Sequence, residues 1–131
     1  MKALSQELLE EAARVFAKAF FHDPLYSWFF PSEKSRFRKI VAFYRFLFLA
    51  NIRHVWVSSD LLEGIAIWKS PYDNGITLSF SLFIQGVIFV CCMGVRALVR
   101  MIFFACVTAS FKKRYRGERA FFLLALGVDP P

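Results

Sequence analysis

The sequence predicts an α+β fold, and three observations carry that reading. Two stretches with apolar residues at helical spacing come first. A pair of short segments rich in β-branched and aromatic residues follows, separated by a turn. After a long apolar helical region, residues 121–126 form a continuous apolar run closed by Gly127 and two prolines, the pattern of a strand buried on both faces. The chain has 131 residues, so a single domain is expected. It is 57% hydrophobic and 18% aromatic, with seventeen Phe, which excludes disorder for most of its length. Such an apolar excess needs a sink: a membrane, a partner subunit or a complementing part of the fold. The net charge of +7 suits an anionic partner.

Ser5 is placed to cap the first helix, with Glu7, Glu10 and Glu11 near its positive end. Leu8, Leu9, Ala12, Val15, Phe16, Ala19 and Phe20 give it one apolar face, and Glu7, Glu10, Arg14 and Lys18 fall largely on the other. Pro24 stops it near His22 and Asp23. Residues 23–31 read as a loop that is unusually aromatic for a connection. Ser32 then caps a second helix running to about Ile52. Its core stripe is Phe37, Ile40, Val41, Tyr44, Leu47, Phe48 and Ile52, while Arg36, Arg38, Lys39, Arg45 and Arg53 keep it basic.

Residues 54–59 alternate as a strand, residues 60–64 make a turn, and residues 65–68 form an apolar and hence central strand. The two strands make an antiparallel hairpin, and Pro71 with the loop at residues 72–75 ends it. Residues 76–95 carry no charge over twenty positions, roughly 30 Å as a helix and enough to cross a bilayer. The alternative is one or two helices inserted between the hairpin and the last strand. Residues 112–119 form a basic connector, and the closing strand is placed in the middle of the sheet. The expected sheet is mixed, with about three strands.

Cys91, Cys92 and Cys106 are odd in number and lie in apolar surroundings, so they read as buried free thiols in a reducing compartment. No CxxC pair or Cys/His cluster suggests a metal site, and the N-terminus lacks a secretory pattern.

Four segments, in order, resemble the GNAT superfamily of N-acetyltransferases. AFFHDP, from Ala19 to Pro24, is similar to the "AFxxDP" helix ending of a branch of small-molecule enzymes. The aromatic loop up to Pro31 follows it. GIAIWKSP, from Gly64 to Pro71, resembles the "G-x-A-x-W-x-x-P" strand. LLALGVDP, from Leu123 to Pro130, resembles the "yL-x-x-lgVdP" strand that leads into the cofactor loop. The resemblance implies a partial GNAT-like fold, acetyl-CoA as cofactor and a small-molecule amine as acceptor. It also implies that main-chain groups at Leu126, Gly127 and Val128 pair with the pantetheine arm. In the family, a Q/R-x-x-G-x-G/A loop at a helix N-terminus then cradles the pyrophosphate through close backbone approach and the helix dipole. This chain ends at Pro131, where that loop should begin, and no other stretch replaces it. The expectation is therefore an incomplete domain with weak or no acetyl transfer unless a second polypeptide completes it.

No catalytic residue is identified. Amine deprotonation needs a general base, and residues 121–126 offer no carboxylate. Asp60 and Glu63 read as solvated turn residues. His22 and Asp23 form either an acid/base pair or a helix end followed by a turn. Trp28 and Trp68 either line an acceptor pocket or fill the core. Lys112, Lys113, Arg114, Arg116 and Arg119 either hold an anion or are a solvated connector, and no motif points to specific nucleic-acid binding. The leading functional reading is a cytoplasmic GNAT-like N-acetyltransferase or an inactive remnant of one. The alternatives are a small membrane-associated protein anchored by residues 76–95, and a non-catalytic interaction module that forms homo-oligomers.

Overall fold

The computed structural model describes residues 2–59, 61–69, 80–114 and 122–128. In chain order the elements are β1 (Lys2–Ala3), α1 (Leu9–Phe20), α2 (Pro24–Phe29), α3 (Glu33–Ala50), β2 (Val55–Val57), β3 (Gly64–Lys69), α4 (Phe80–Met93), α5 (Val95–Arg114) and β4 (Phe122–Val128). Short 3-10 turns precede α1 and β2. The fold is α+β, as expected, but the sheet differs from the expectation. It has four strands in the order β1-β2-β3-β4, antiparallel at every described pairing rather than mixed. The added strand is the N-terminal Lys2–Ala3, too short to leave an alternating pattern in the sequence.

The β2–β3 hairpin forms with Val55 opposite Ile67 and Val57 opposite Ile65. Its turn places Leu62 at φ 55°, a left-handed conformation that costs a branched residue about 1 kcal/mol or more. The Leu62 side chain is buried in the core, and that burial holds the turn. Residue 60 lies outside the described residues.

One face of the sheet is the core face. Val55, Val57, Ile65 and Ile67 point into it and are at most 1% exposed. Phe16 of α1 and Ile40, Tyr44 and Phe48 of α3 belong to the same buried cluster. Phe16 stands at its centre, with Phe20, Tyr44 and Phe48 rings at 5.5, 4.5 and 5.1 Å. Ala12, Ala13 and Ala17 are fully buried and let α1 approach its neighbours closely.

Several local expectations are corrected. Ser5 has no side-chain capping bond, and a 3-10 turn over Gln6–Leu8 opens the helix instead. Residues 23–31 are not simply a loop: Pro24 ends α1 but also begins α2, the first-turn position where its missing N–H costs nothing. Asp23 caps that helix by accepting a 2.9 Å bond from the Leu25 N–H. On α3, Phe37 and Arg36 exchange their expected places: Phe37 is exposed and Arg36 is buried.

The closing strand is the largest correction. Among the described residues β4 pairs only with β3, so it lies at the end of the sheet rather than in its middle. Its first expected residue, Phe121, lies outside the described residues. Burial on both faces, which its apolar run implied, is not met on one side: Leu126 and Val128 are exposed.

The apolar region before it forms two helices, not one. Gly94 separates α4 from α5 with φ 78°, and the helix axes are bent by 114°. Among the described residues no single helix is long and apolar enough to cross a membrane. Residues 76–79 lie outside the described residues, and α5 continues through Lys112 and Lys113 to Arg114, into what reads as a connector. The helix α4 packs on α3, with Phe89 stacked on Phe46 at 5.2 Å and Gly86 close to the Phe46 ring. The cysteines are free but not buried as expected: Cys91 and Cys106 are exposed and Cys92 is half-buried. The apolar stretches that suggested burial lie on helix faces turned outward.

Candidate functional site

The sheet register determines what β4 offers. The Ser58 N–H donates to the Gly64 carbonyl at 2.8 Å, and the Gly64 N–H donates to Ser58 Oγ at 3.0 Å, so Gly64 turns its main chain toward the β2 side. Main-chain direction alternates along an antiparallel ladder. Ile65 therefore turns its main chain toward β4, where Gly127 is its partner. It follows that Gly127 bonds to β3, while Leu126 and Val128 present their N–H and C=O groups to the opposite edge. No described strand occupies that edge.

Side chains alternate in the same way. Gly127 is buried on the core face, where a Cβ would stand 2.9 Å from the Phe16 ring. A glycine is required here for close approach of α1, not for its backbone freedom. Leu126 lies opposite Ala66, which lies opposite Trp56, so these residues form a row across the second face of the sheet. Trp68 is one step along β3 beyond Ile67, next to a break in the β3–β4 register. Trp56 and Trp68 are each 39% exposed, so this second face is apolar and open.

The candidates from the sequence thus separate. Leu126, Gly127 and Val128 lie together opposite Ala66, Ile65 and Gly64, while Trp68 lies farther along the ladder, opposite Leu123. Trp28 does not join them. It lies on α2, where the Arg100 guanidinium of α5 sits 5.4 Å from its ring and donates to its carbonyl. Trp56 belongs with Trp68, and its alternation with the buried Val55 and Val57 was the signal that could have found it. Glu63 is an exposed turn residue, as expected, and Asp60 lies outside the described residues. His22 is exposed and Asp23 is engaged as the cap of α2, which favours the turn reading of that pair over acid/base chemistry. Arg116 and Arg119 lie outside the described residues.

A second polar arrangement was not legible in the sequence. Arg36 is 6% exposed and donates to the carbonyls of Phe30, Pro31 and Phe21, at 2.9, 3.1 and 3.3 Å. Its guanidinium also lies over the Phe21 ring. It thereby joins the ends of α1 and α2 to the first turn of α3, and its planar fork serves carbonyls from separate elements at once. Nearby, Tyr26 and Tyr44 are hydrogen-bonded through their hydroxyls. Burial raises both phenols above the ordinary value of 10, Tyr26 to about 12. Both therefore remain protonated at neutral pH. On the other side of α1, Glu10 accepts two 2.6 Å bonds from Arg45, which lower its carboxyl below the ordinary value.

Two clefts border α1. One is lined by Gln6, Glu10, Arg45 and Gln85, the other by Glu11, Arg14, Lys18 and Leu61, and neither includes a tryptophan or a β4 residue. Among the described residues no group of three His, Cys, Asp or Glu side chains converges as a metal site would require. The end of the sheet is therefore the place where several candidates coincide. Its chemistry is that of main-chain amides without a strand partner among the described residues, beside an apolar surface. Comparison with models of known protein families finds no match, and comparison with curated proteins finds none either.

Proposed function

We propose that the chain is a GNAT-like N-acetyltransferase scaffold. Its β4 edge takes the pantetheine arm of acetyl-CoA, for acetyl transfer to a small-molecule amine. The observation that carries this reading is the outward direction of the Leu126 and Val128 main chain, with its edge unpaired among the described residues. An extended arm with amide groups pairs with such an edge as an added strand would. The exposed side chains of Leu126 and Val128 offer apolar contact beside it. Apart from the added β1 and α2, the element order of helices, a hairpin, inserted helices and a strand ending in Gly127-Val128 agrees with what the sequence resemblance implies.

The fit to the coenzyme is partial. The edge suits the arm, but the sequence has no Gly-rich loop to hold the diphosphate. A cytoplasmic location belongs to the same proposal, and the three cysteines without a disulfide agree with it.

Calorimetric titration of the chain with acetyl-CoA and with acetyl-pantetheine tests the proposal. Leu126→Pro removes one outward N–H and leaves the β3 ladder intact, a substitution edge strands tolerate. Leu126→Ala keeps the N–H and removes only the side chain. The expected result is an affinity at least about tenfold weaker for Leu126→Pro than for Leu126→Ala, equal for both ligands. Equal affinity in the two variants, or no binding of either ligand to the parent chain, overturns the reading.

A further inference from the structure

We propose that the outward faces of α4 and α5 form a monotopic docking surface that lies in the interface of an anionic lipid bilayer without crossing it. The inner side of α4 is accounted for: Leu82, Gly86, Phe89 and Met93 face α3 and the core. Its outer side carries Phe83, Val87 and Val90, and α5 carries Val99, Ile102 and Phe103, all exposed. Phe83 is 69% exposed and Phe103 63%. So many exposed large apolar side chains on two consecutive helices mark an interaction surface rather than ordinary surface scatter.

Charge identifies what covers it. Residues 80–114 contain no Asp or Glu, and their charged residues are Arg96, Arg100, Lys112, Lys113 and Arg114. A second copy docking here would bring basic helices against each other, with +7 on each chain. An acidic headgroup layer complements them, while the apolar side chains enter the acyl boundary. Arg96, exposed beside the bend, is the cation placed to meet headgroups.

Among the described residues no single helix is long and apolar enough for a crossing. The bend at Gly94 turns α5 by 114° from α4, so the pair does not form one rod. The uncharged part of α5 between Arg100 and Lys112 rises about 16 Å, roughly half the hydrocarbon thickness. Both helices are instead placed to lie along one leaflet.

Flotation of the purified full chain with vesicles provides the test, using phosphatidylcholine alone or mixed with phosphatidylserine. The protein is expected to float with the anionic vesicles, to be released by salt, and to bind neutral vesicles weakly. Phe83→Asp combined with Phe103→Asp should abolish flotation with an unchanged circular dichroism spectrum, since both residues are exposed. Arg96→Gln should lower partition to anionic vesicles about fivefold and leave neutral vesicles unaffected. Fluorophores on the exposed Cys91 and Cys106 should both be quenched by lipid-borne quenchers and report the same leaflet. Absence of parent-chain flotation overturns the proposal, as does flotation indifferent to the double substitution. Labels reporting opposite leaflets would mean a crossing. Lipid-free self-association dispersed by the double substitution would mean that a second copy covers the face. Either result overturns the proposal. None of these readouts depends on coenzyme binding.

Discussion

Arg36 shows how one residue joins three helices. Its guanidinium is held by carbonyls at the ends of α1 and α2, where helix termini leave oxygens without intrahelical partners. Replacing it with Leu would remove the donor from the buried Phe30 oxygen and from the part-buried Phe21 and Pro31 oxygens. Arg36→Leu is expected to lower stability by about 3 kcal/mol in denaturant titration. Arg36→Lys should recover little of this, because an ammonium has no planar fork to reach separate carbonyls. The tyrosine pair makes a pH-dependent contribution. Tyr26 is raised to about 12 by burial, so the folded protein keeps its proton above pH 10 while the unfolded chain begins to lose it. The resulting stability is fully present below pH 10 and is lost as pH rises from 10 through about 12. Thermal midpoints measured across that window should fall, and Tyr26→Phe should flatten the decline. Glu10 has the opposite sign. Its lowered carboxyl adds stability above its ordinary value of 4.5 that is lost on further acidification.

Between elements, the closest adjustment is where α1 meets β4. The Phe16 ring occupies the space a side chain at position 127 would need. Gly127→Ala is expected to destabilise the fold by about 1–3 kcal/mol, because overpacking at a buried contact forces either the ring or the strand to move. Denaturant midpoints would show this, and Phe16→Leu in the same chain should recover part of the loss. If Gly127→Ala proves neutral, the contact between α1 and β4 is looser than the structure places it. The helices had clear sequence signals, since amphipathic periodicity and Pro24 are local features. The helix α2 was hidden because Pro24 acts in two ways, ending one helix and opening the next. The exchange of Arg36 and Phe37 was hidden because a periodic stripe cannot show which polar residue has buried carbonyls waiting for it.

Across the whole molecule, the apolar excess has two destinations beyond the core. One is the second face of the sheet, with Trp56, Trp68, Leu126 and Val128, and the other is the outer side of α4 and α5. The first supports the coenzyme-arm proposal and the second the lipid proposal, and their tests are independent. The composition announced an excess but not its location. Whether an apolar side chain faces α3 or solvent depends on the rotation of α4 about its axis, which packing against Phe43 and Phe46 sets. The uncharged length of residues 76–95 suggested a span, yet the helix described within it, α4, has 14 residues and ends before the left-handed Gly94.

The sequence by itself determined the α+β class, the β2–β3 hairpin, the two long amphipathic helices and the strand character of the closing apolar run. Those follow from periodicity, turn residues and β-branched content, all readable within a short window. Only the tertiary structure decided that β4 lies at the end of the described sheet, that Trp56 rather than Trp28 accompanies Trp68, and that Arg36 is buried. Each of these depends on which neighbour fills a given edge, face or carbonyl, and that neighbour comes from a distant part of the chain.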